Sequence, residues 1–217
     1  PIHMIEFGAP EATRHVMVIG RQHPPEATGT MALLAFVEEL GNPNSPLARE
    51  FRESFRVHVI PVVNPDGVDL GNWRHNTGGV DLNRDWEAFN QPETRVVRDT
   101  FTGILDSPGN ELWFGVDFHS TQRDVFYTLN RSMETNPPGV IDKWLDHIAA
   151  ELPHYEVNDS PSGFGMPTSR NWFYSTFGAP ALIYEVGDQT DRALIREVAS
   201  TAAEGTMRIL LEELNRR

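Results

Sequence analysis

The sequence contains no cysteine. Disulfide bonds and thiolate metal ligands are therefore excluded, and any metal must be bound through histidine, aspartate or glutamate. Positive charge is also scarce: 18 Lys and Arg residues stand against 31 Asp and Glu residues, and the formal net charge of −13 disfavours binding to nucleic acids and to anionic membranes. No stretch reaches the ~20 apolar residues of a transmembrane helix. The eight histidines are therefore the residues to locate.

Length and composition bound the organisation of the chain. Because 39% of the 217 residues are apolar, we expect a single catalytic domain over residues 1–217 with a substantial core. The chain begins at Pro1 without an initiator Met, which is typical of a processed or trimmed protein. We expect a cytoplasmic location, with a periplasmic or secreted one as the alternative if an N-terminal segment was removed. The sequence carries no signal for the oligomeric state.

Apolar runs and helical periodicities alternate along the chain. Buried strands are predicted at residues 15–19, 57–63, 112–118 and 181–184, and helices from the Pro24-Pro25 turn to Gly41 and at 93–105, 137–152 and 191–214. The segment 158–177 is rich in Gly, Pro and Ser and is predicted to be a long surface loop. This alternation predicts a three-layer α/β/α domain, in which ligands bind at the carboxyl ends of the central strands.

Candidate metal ligands fall at the predicted strand ends. His23 and Glu26 lie three positions apart in a strand-to-helix turn, near enough to share one cation, and His119 follows another strand. Three such ligands would leave the fourth position of zinc free for water. Each residue also has a simpler interpretation, in which Glu26 interacts with a helix dipole, His23 is a turn residue and His119 is a core histidine. Spacing alone leaves these alternatives open.

The most specific segment lies between Glu26 and His119. It contains Asn64-Pro-Asp-Gly67, Gly71-Asn-Trp-Arg74 and Asp81-Leu-Asn-Arg84-Asp-Trp86. Together with the candidate ligands, these motifs resemble the zinc carboxypeptidase family, which includes pancreatic carboxypeptidase A and the cytosolic carboxypeptidases, and the cytosolic type is closer in this segment. The resemblance runs in order from about His15 to Glu185. It implies a zinc-carboxypeptidase-like fold, with three α/β/α layers around a central mixed β-sheet.

The resemblance also implies a catalytic metal. One Zn2+ per chain would be bound by His23, Glu26 and His119, and Asp81 would accept a hydrogen bond from the first histidine and so fix its tautomer. Glu185, in Ile-Tyr-Glu-Val-Gly, would take a proton from the zinc-activated water and deliver it to the leaving amine. The simpler interpretation of Glu185 is an exposed glutamate at a strand end.

Three further residues would contact the substrate. Arg74 would polarise the scissile carbonyl and hold its oxyanion, while Asn83 and Arg84 would bind the terminal carboxylate. Arginine suits this task because its planar fork can donate two parallel hydrogen bonds to a carboxylate. The alternative for Arg84 is a surface ion pair with Asp81 or Asp85.

The chain departs from the family pattern before Arg170. The family's active-site tyrosine is expected a few residues earlier, but Gly163-Phe-Gly-Met166 lies there and contains none. Either Tyr155 or Tyr174 substitutes from elsewhere in the chain, or the function of the tyrosine is absent; neither residue is assigned. Arg170 matches a position that lines the pocket for the C-terminal side chain, where a cation favours acidic C-terminal residues or other acidic groups, such as those of bacterial cell-wall peptides. The alternative for Arg170 is an ion pair with a surface carboxylate such as Asp159.

The implied function is a zinc metallocarboxypeptidase that hydrolyses the C-terminal amide bond of peptides. Its substrate would be a peptide or small amide with a free carboxylate. Aspartoacylase and succinylglutamate desuccinylase, which act on N-acyl amino acids, share the His-x-x-Glu, the Asp-Leu-Asn-Arg and a later histidine, but segments 64–67 and 71–74 favour a peptidase. A binding module that kept the fold without the reaction is disfavoured, because the ligands, the oxyanion donor, the carboxylate-binding residues and the base are all present.

Overall fold

A seven-stranded sheet runs through the centre of the computed structural model, which describes residues 1–163 and 165–217. The strands are β1 (Ile5–Gly8), β2 (Arg14–Gly20), β3 (Arg56–Ile60), β4 (Glu111–Thr121), β5 (Val125–Leu129), β6 (Asp159–Ser162) and β7 (Ala181–Gly187). They lie in the order β1-β3-β2-β4-β7-β5-β6. The β1–β3 and β5–β7 pairs are antiparallel and the other neighbours are parallel. The sheet is therefore mixed, as the family resemblance implied.

Helices cover both faces of the sheet. They are α1 (Ala27–Gly41), α2 (Pro46–Ser54), α3 (Pro65–Asp69), α4 (Pro92–Leu105), α5 (Val140–Glu151), α6 (Ser169–Phe177) and α7 (Arg192–Arg216), with a single 3-10 turn at Leu82–Arg84. One apolar core contains buried residues of α1, α2, α5 and α7, and a second core on the opposite face contains buried residues of α4 and α6. The predicted three-layer α/β/α architecture is confirmed.

Strand β2 supplies apolar side chains to both cores. Val16 and Val18 belong to the first core, whereas Met17 and Ile19 belong to the second. Successive side chains of a strand point to opposite faces of a sheet, so a strand covered on both sides needs an unbroken apolar run. Burial on both faces explains why the apolar run of β2 predicted a strand.

The segment 158–177 is not the continuous loop that its composition predicted. It contains β6 and the nine-residue helix α6. The side chain of Thr168 accepts a hydrogen bond from the backbone N–H of Asn171 and caps α6, and this helix buries Trp172 and Phe173. The Gly and Pro residues before the cap made the composition of the segment typical of a loop, although the segment contains a short helix that is stabilised by tertiary packing. Phe164, within the tyrosine-free stretch, lies outside the described residues.

Some element boundaries also differ from the prediction. Strand β3 ends at Ile60, and the Asn64-Pro-Asp-Gly turn forms the short helix α3, capped by the side chain of Asn64. Strand β4 extends to Thr121, so His119 lies within a strand instead of after one. Over the described part of the chain, none of the helices has the length and apolarity needed to cross a membrane.

Candidate metal centre and active site

The three candidate ligands meet where β2, α1 and β4 come together. His23 lies in the turn after β2, Glu26 is the residue before the first turn of α1, and His119 lies near the end of β4. Because β2 and β4 are parallel neighbours, their carboxyl ends lie at the same edge of the sheet. The sheet topology therefore brings together residues that are 93 positions apart in the sequence.

The carboxylate of Glu26 lies between the two imidazole rings. Its Oε1 is 2.7 Å from Nδ1 of His23, its Oε2 is 2.8 Å from Nδ1 of His119, and the two Nδ1 atoms are 3.2 Å apart. One ligand atom from each residue can be chosen so that all lie within 4.8 Å of one another. Two imidazoles and one carboxylate form a donor set of catalytic zinc sites. The residues present therefore fit a zinc ion.

Two further aspartates hold the outer nitrogens of the histidines. Oδ1 of Asp81 is 2.9 Å from Nε2 of His23, and Oδ2 of Asp117 is 2.8 Å from Nε2 of His119. The other oxygen of Asp81 accepts a hydrogen bond from Nε of Arg74 at 2.8 Å. Carboxylates in this position orient metal-binding imidazoles and make them stronger ligands.

The electrostatics of this cluster favour positive charge. Burial opposes ionisation of Glu26, but the charges and hydrogen bonds of His119 and His23 lower its pKa to about 2. Burial also opposes protonation of His119, yet the carboxylates of Asp117 and Glu26 raise its pKa well above the usual value. Three carboxylates around two imidazoles thus create a negative potential at the place where the ligand atoms converge.

Glu185 lies next to the metal ligands on the neighbouring strand. It is opposite His119 in the parallel β4–β7 pair. The side chain is partly buried, its Oε2 has no hydrogen-bond partner among the described residues, and burial raises the pKa of its carboxyl group. Oε2 itself is inaccessible to solvent, so the carboxylate is suited to exchange a proton with a group bound at the candidate metal ligands and not with bulk water.

A cavity of about 590 Å³ connects the ligands to the other predicted site residues. Its walls include Arg74, Arg84, Arg170 and Glu185, together with Asn83. Arg84 donates a hydrogen bond from Nη1 to the backbone carbonyl of Asn83 at 2.7 Å. All site residues expected from the sequence line this cavity, except Asp81 and the buried His119. Asp81 contacts His23, and His119 contacts Glu26, and both of these partners line the cavity.

The ion pairs considered as alternatives for Arg84 and Arg170 are not present in the described structure. Asp81 pairs with Arg74, and Asp159 pairs with Arg131. The carboxylate of Asp85 instead accepts hydrogen bonds from the residues that begin α4. Neither arginine is therefore neutralised by a carboxylate of the described residues.

Comparison with known proteins identifies the family of this chain. The profile of zinc carboxypeptidases matches residues 1–203. The chain belongs to the zinc carboxypeptidase family. It is also similar to mouse cytosolic carboxypeptidase 6, with 32% identity over 108 residues, which cover 48% of this chain and 20% of that protein. The chain thus spans about one fifth of that relative's length.

Solved structures of metallocarboxypeptidases share this fold. The metallo-carboxypeptidase of Burkholderia cenocepacia superposes with a TM-score of 0.76 at 20% identity, covering 98% of this chain and 61% of that one. The metallo-carboxypeptidase of Pseudomonas aeruginosa, solved in complex with (2-guanidinoethylmercapto)succinic acid, gives 0.74 at 19% identity, with 98% and 61% covered. At these identities the likeness concerns the fold.

No tyrosine lies in the segment just before Arg170, but another tyrosine lines the cavity. Tyr155 packs against the core on the far face of the sheet. Tyr127 on β5 is 37% exposed, lies opposite Ile183 of β7, and lines the same cavity as Glu185. Tyr127 is the sole tyrosine among the described residues of the cavity wall. Sequence analysis missed it because its position depends on the antiparallel β5–β7 pairing.

The polar residues behind His119 were not predicted as site residues from the sequence. Asp117 could have been found, since residues i and i+2 of a strand share a face and Asp117 lies two positions before His119. Gln22 and Ser169, which both donate hydrogen bonds to Asp117, come from distant segments. No local signal marked either of them.

Proposed function

We propose that residues 1–217 form a single catalytic domain, a zinc-dependent carboxypeptidase that hydrolyses the C-terminal amide bond of peptides with acidic C-terminal groups. The observation that carries this proposal is the cavity of about 590 Å³ in which the His-Glu-His cluster, Glu185 and three arginines converge. The family match favours this reaction over hydrolysis of N-acyl amino acids. The cytosolic relatives favour the cytoplasmic location expected from the sequence.

One Zn2+ per chain would be held by His23, Glu26 and His119. When bound, zinc acts as a Lewis acid that polarises a carbonyl group and lowers the pKa of water toward ~7. Asp81 would keep His23 in the tautomer whose Nδ1 lone pair points toward Glu26, because its carboxylate lies at the opposite ring nitrogen. The donor set and its outer carboxylate support this assignment.

Glu185 would act as the general base and then as the general acid. Its carboxylate, which lines the cavity, would accept a proton from the attacking water and return it to the nitrogen of the leaving amino acid. Arg74 would donate hydrogen bonds to the carbonyl oxygen as negative charge develops on it. Its link to Asp81 at 2.8 Å limits the directions in which the guanidinium can point.

The terminal carboxylate of the peptide would be bound by Asn83 and Arg84. Arg84 is exposed and donates one hydrogen bond to the Asn83 carbonyl, which leaves its other N–H groups for the substrate. A requirement for a free carboxylate at this place restricts cleavage to the last amide bond. Peptides with an amidated C-terminus are therefore expected to be poor substrates.

Arg170 supports a preference for acidic side chains. It is 4% exposed, and its partners are the neutral oxygens of Thr128, Ser162 and Asn171 at 2.7–3.1 Å. Among the residues that the structure describes, no carboxylate forms an ion pair with it. A buried charge without a counter-charge destabilises a fold, and an acidic side chain of a substrate would compensate it. Tyr127 and Ser162 add hydroxyl groups to the same cavity.

The test combines metal analysis with peptide hydrolysis. Bound zinc is measured by elemental analysis, and chelator-sensitive release of C-terminal residues from a mixed peptide library is followed by mass spectrometry. One zinc per chain and release that disappears in Glu185→Gln are expected. A protein that binds no zinc contradicts the proposal, and zinc without peptide hydrolysis directs the assay to N-acyl aspartate and glutamate.

The acidic preference is tested separately with Arg170→Ala. Hydrogen bonds to charged groups contribute about 1.5–3 kcal/mol, so the ratio of kcat/KM for C-terminal Glu over Leu should fall roughly 10- to 100-fold. Arg196→Ala removes a surface arginine that pairs with Glu38 and serves as the matched control. Unchanged selectivity in Arg170→Ala would overturn this part of the proposal.

A further inference from the structure

A buried carboxylate lies behind His119 and is not used by the proposed reaction. We infer that Asp117, fixed by Gln22 and Ser169, is a positioning residue that sets the tautomer and orientation of His119 and thereby strengthens metal binding. This inference rests on the proposed zinc site. It assigns Asp117 a role at His119 that is distinct from the role of Asp81 at His23.

Three donors converge on one oxygen of Asp117. Its Oδ2 accepts hydrogen bonds from Nε2 of His119 at 2.8 Å, from Nε2 of Gln22 at 2.5 Å and from the hydroxyl of Ser169. All four side chains are fully buried. An ionised carboxylate can only accept, so the proton of this contact belongs to Nε2 of His119. When a cation is bound, the lone pair of Nδ1 would then be directed at it, on the side of Glu26.

The orientation of Gln22 is itself determined by its neighbours. The indole N–H of Trp86 can only donate, and it donates to Oε1 of Gln22 at 2.8 Å. The amide nitrogen of Gln22 must therefore face Asp117. The backbone carbonyl of Gln22 accepts a further bond from Asn64 at 3.0 Å. Gln22 thus has no freedom to rotate its amide without losing buried hydrogen bonds.

Ser169 connects the network to the substrate cavity. It is the first residue of α6, and its backbone N–H donates to Oδ1 of Asn83 at 3.1 Å. Through Ser169 and Gln22, Asp117 is held by α6 and by the turn that carries His23. A movement of His119 relative to these elements would break several buried hydrogen bonds at once.

The remaining oxygen of Asp117 points to a role for its charge. Oδ1 is buried and has no hydrogen-bond partner among the described residues. Burying a carboxylate with one unpaired oxygen is unfavourable for folding, and such groups call for a specific explanation. A cation on the far side of the His119 ring offers one, because the negative charge of Asp117 makes the imidazole a stronger ligand.

The test is the zinc affinity of Asp117→Asn, an isosteric change that removes the charge. Zinc dissociation constants are measured by competition with a chromophoric chelator, and the tautomer of His119 is read from its ring nitrogens by NMR. We expect a 10- to 100-fold weaker zinc affinity and an Nε2–H signal of His119 shifted toward that of a neutral hydrogen bond, because the amide oxygen of Asn still accepts this proton but carries no charge. Ser169→Ala, which keeps the carboxylate, should weaken binding in the same direction by less.

Asp85→Asn is the matched control. Asp85 is also a buried aspartate, but it accepts hydrogen bonds from Asn90, Gln91 and Thr94. Its substitution should lower the unfolding temperature and leave the zinc affinity unchanged. Unchanged affinity and an unchanged Nε2–H signal of His119 in folded Asp117→Asn would overturn the inference, as would an equal loss of affinity in Asp85→Asn. If Asp117→Asn does not fold, an unchanged zinc affinity in Ser169→Ala would overturn the inference instead. Absence of zinc from the wild-type protein would instead refute the proposed function.

Discussion

The close contact between α1 and β4 yields a prediction with a calculable size. A Cβ atom added to Gly29 would lie 2.4 Å from the carbonyl oxygen of His119 and 2.6 Å from its carbonyl carbon. Ordinary contacts begin near 3.4 Å. Gly29→Ala therefore requires the start of α1 to retreat from β4 by about 1 Å. Glu26 precedes this first turn, so its 2.8 Å contact with His119 would be lost as well.

Two opposing terms set the change in stability. Overpacking costs about 1–3 kcal/mol, while alanine in a helix is favoured over glycine by about 1 kcal/mol. The net loss should be at most about 2 kcal/mol, measured by urea unfolding in the presence of a chelator. The functional loss should be larger, because misplacing a catalytic group by about 1 Å can reduce the rate about a hundredfold.

Gly103→Ala is the control for helix propensity. Gly103 lies in α4, and an added Cβ would meet nothing within 4 Å. This variant should gain about 0.5–1 kcal/mol and keep its zinc affinity and its kcat/KM. If Gly29→Ala gains as much stability as Gly103→Ala, or binds zinc and hydrolyses peptides like the wild type, the reasoning from close contact is wrong.

Other consequences can be tested in parallel. Arg74→Ala should lower kcat about 10²- to 10³-fold with zinc content unchanged, and a normal kcat would contradict an oxyanion role. Arg84→Ala should raise KM for peptides with a free C-terminus toward that of amidated peptides, and the same KM in both proteins would exclude the proposed carboxylate contact. Burial and the adjacent His15 lower the pKa of His58 from 6.5 to about 4. Between these pH values the unfolded chain therefore binds more protons than the folded chain. The free energy of unfolding should consequently fall as the pH falls, by at most about 3 kcal/mol. In urea unfolding, His58→Gln should weaken this dependence of the free energy of unfolding on pH, whereas His154→Gln, at an exposed position, should leave it unchanged. An equal pH dependence in both variants would disprove the assignment to His58.

The candidate metal ligands could be picked out from the sequence because most of their signals are local. His23 and Glu26 belong to one turn, and the Asn-Pro-Asp-Gly and Asp-Leu-Asn-Arg motifs lie within short segments. Their order along the chain carried the family resemblance. The family match bears out that resemblance, whereas the role of each residue stays a prediction until the variants are measured.

What the sequence did not predict depends on contacts between distant segments. Ser169 reaches Asp117 only because α6 packs on the sheet, and α6 was hidden in a segment whose composition predicted a loop. Tyr127 enters the cavity because β5 pairs with β7 in an antiparallel register. Local propensity contains no information on such pairings, since the register is set by the whole sheet.

The origin of the ligands in separate segments has a consequence for folding. Glu26 and His119 are 93 residues apart, and they meet only after β2 and β4 have paired. Closing so long a loop is slow compared with forming helices. During refolding with zinc present, uptake of the metal should therefore lag behind the far-UV signal of the helices. The rate of zinc capture would then report when the central pair of strands is assembled.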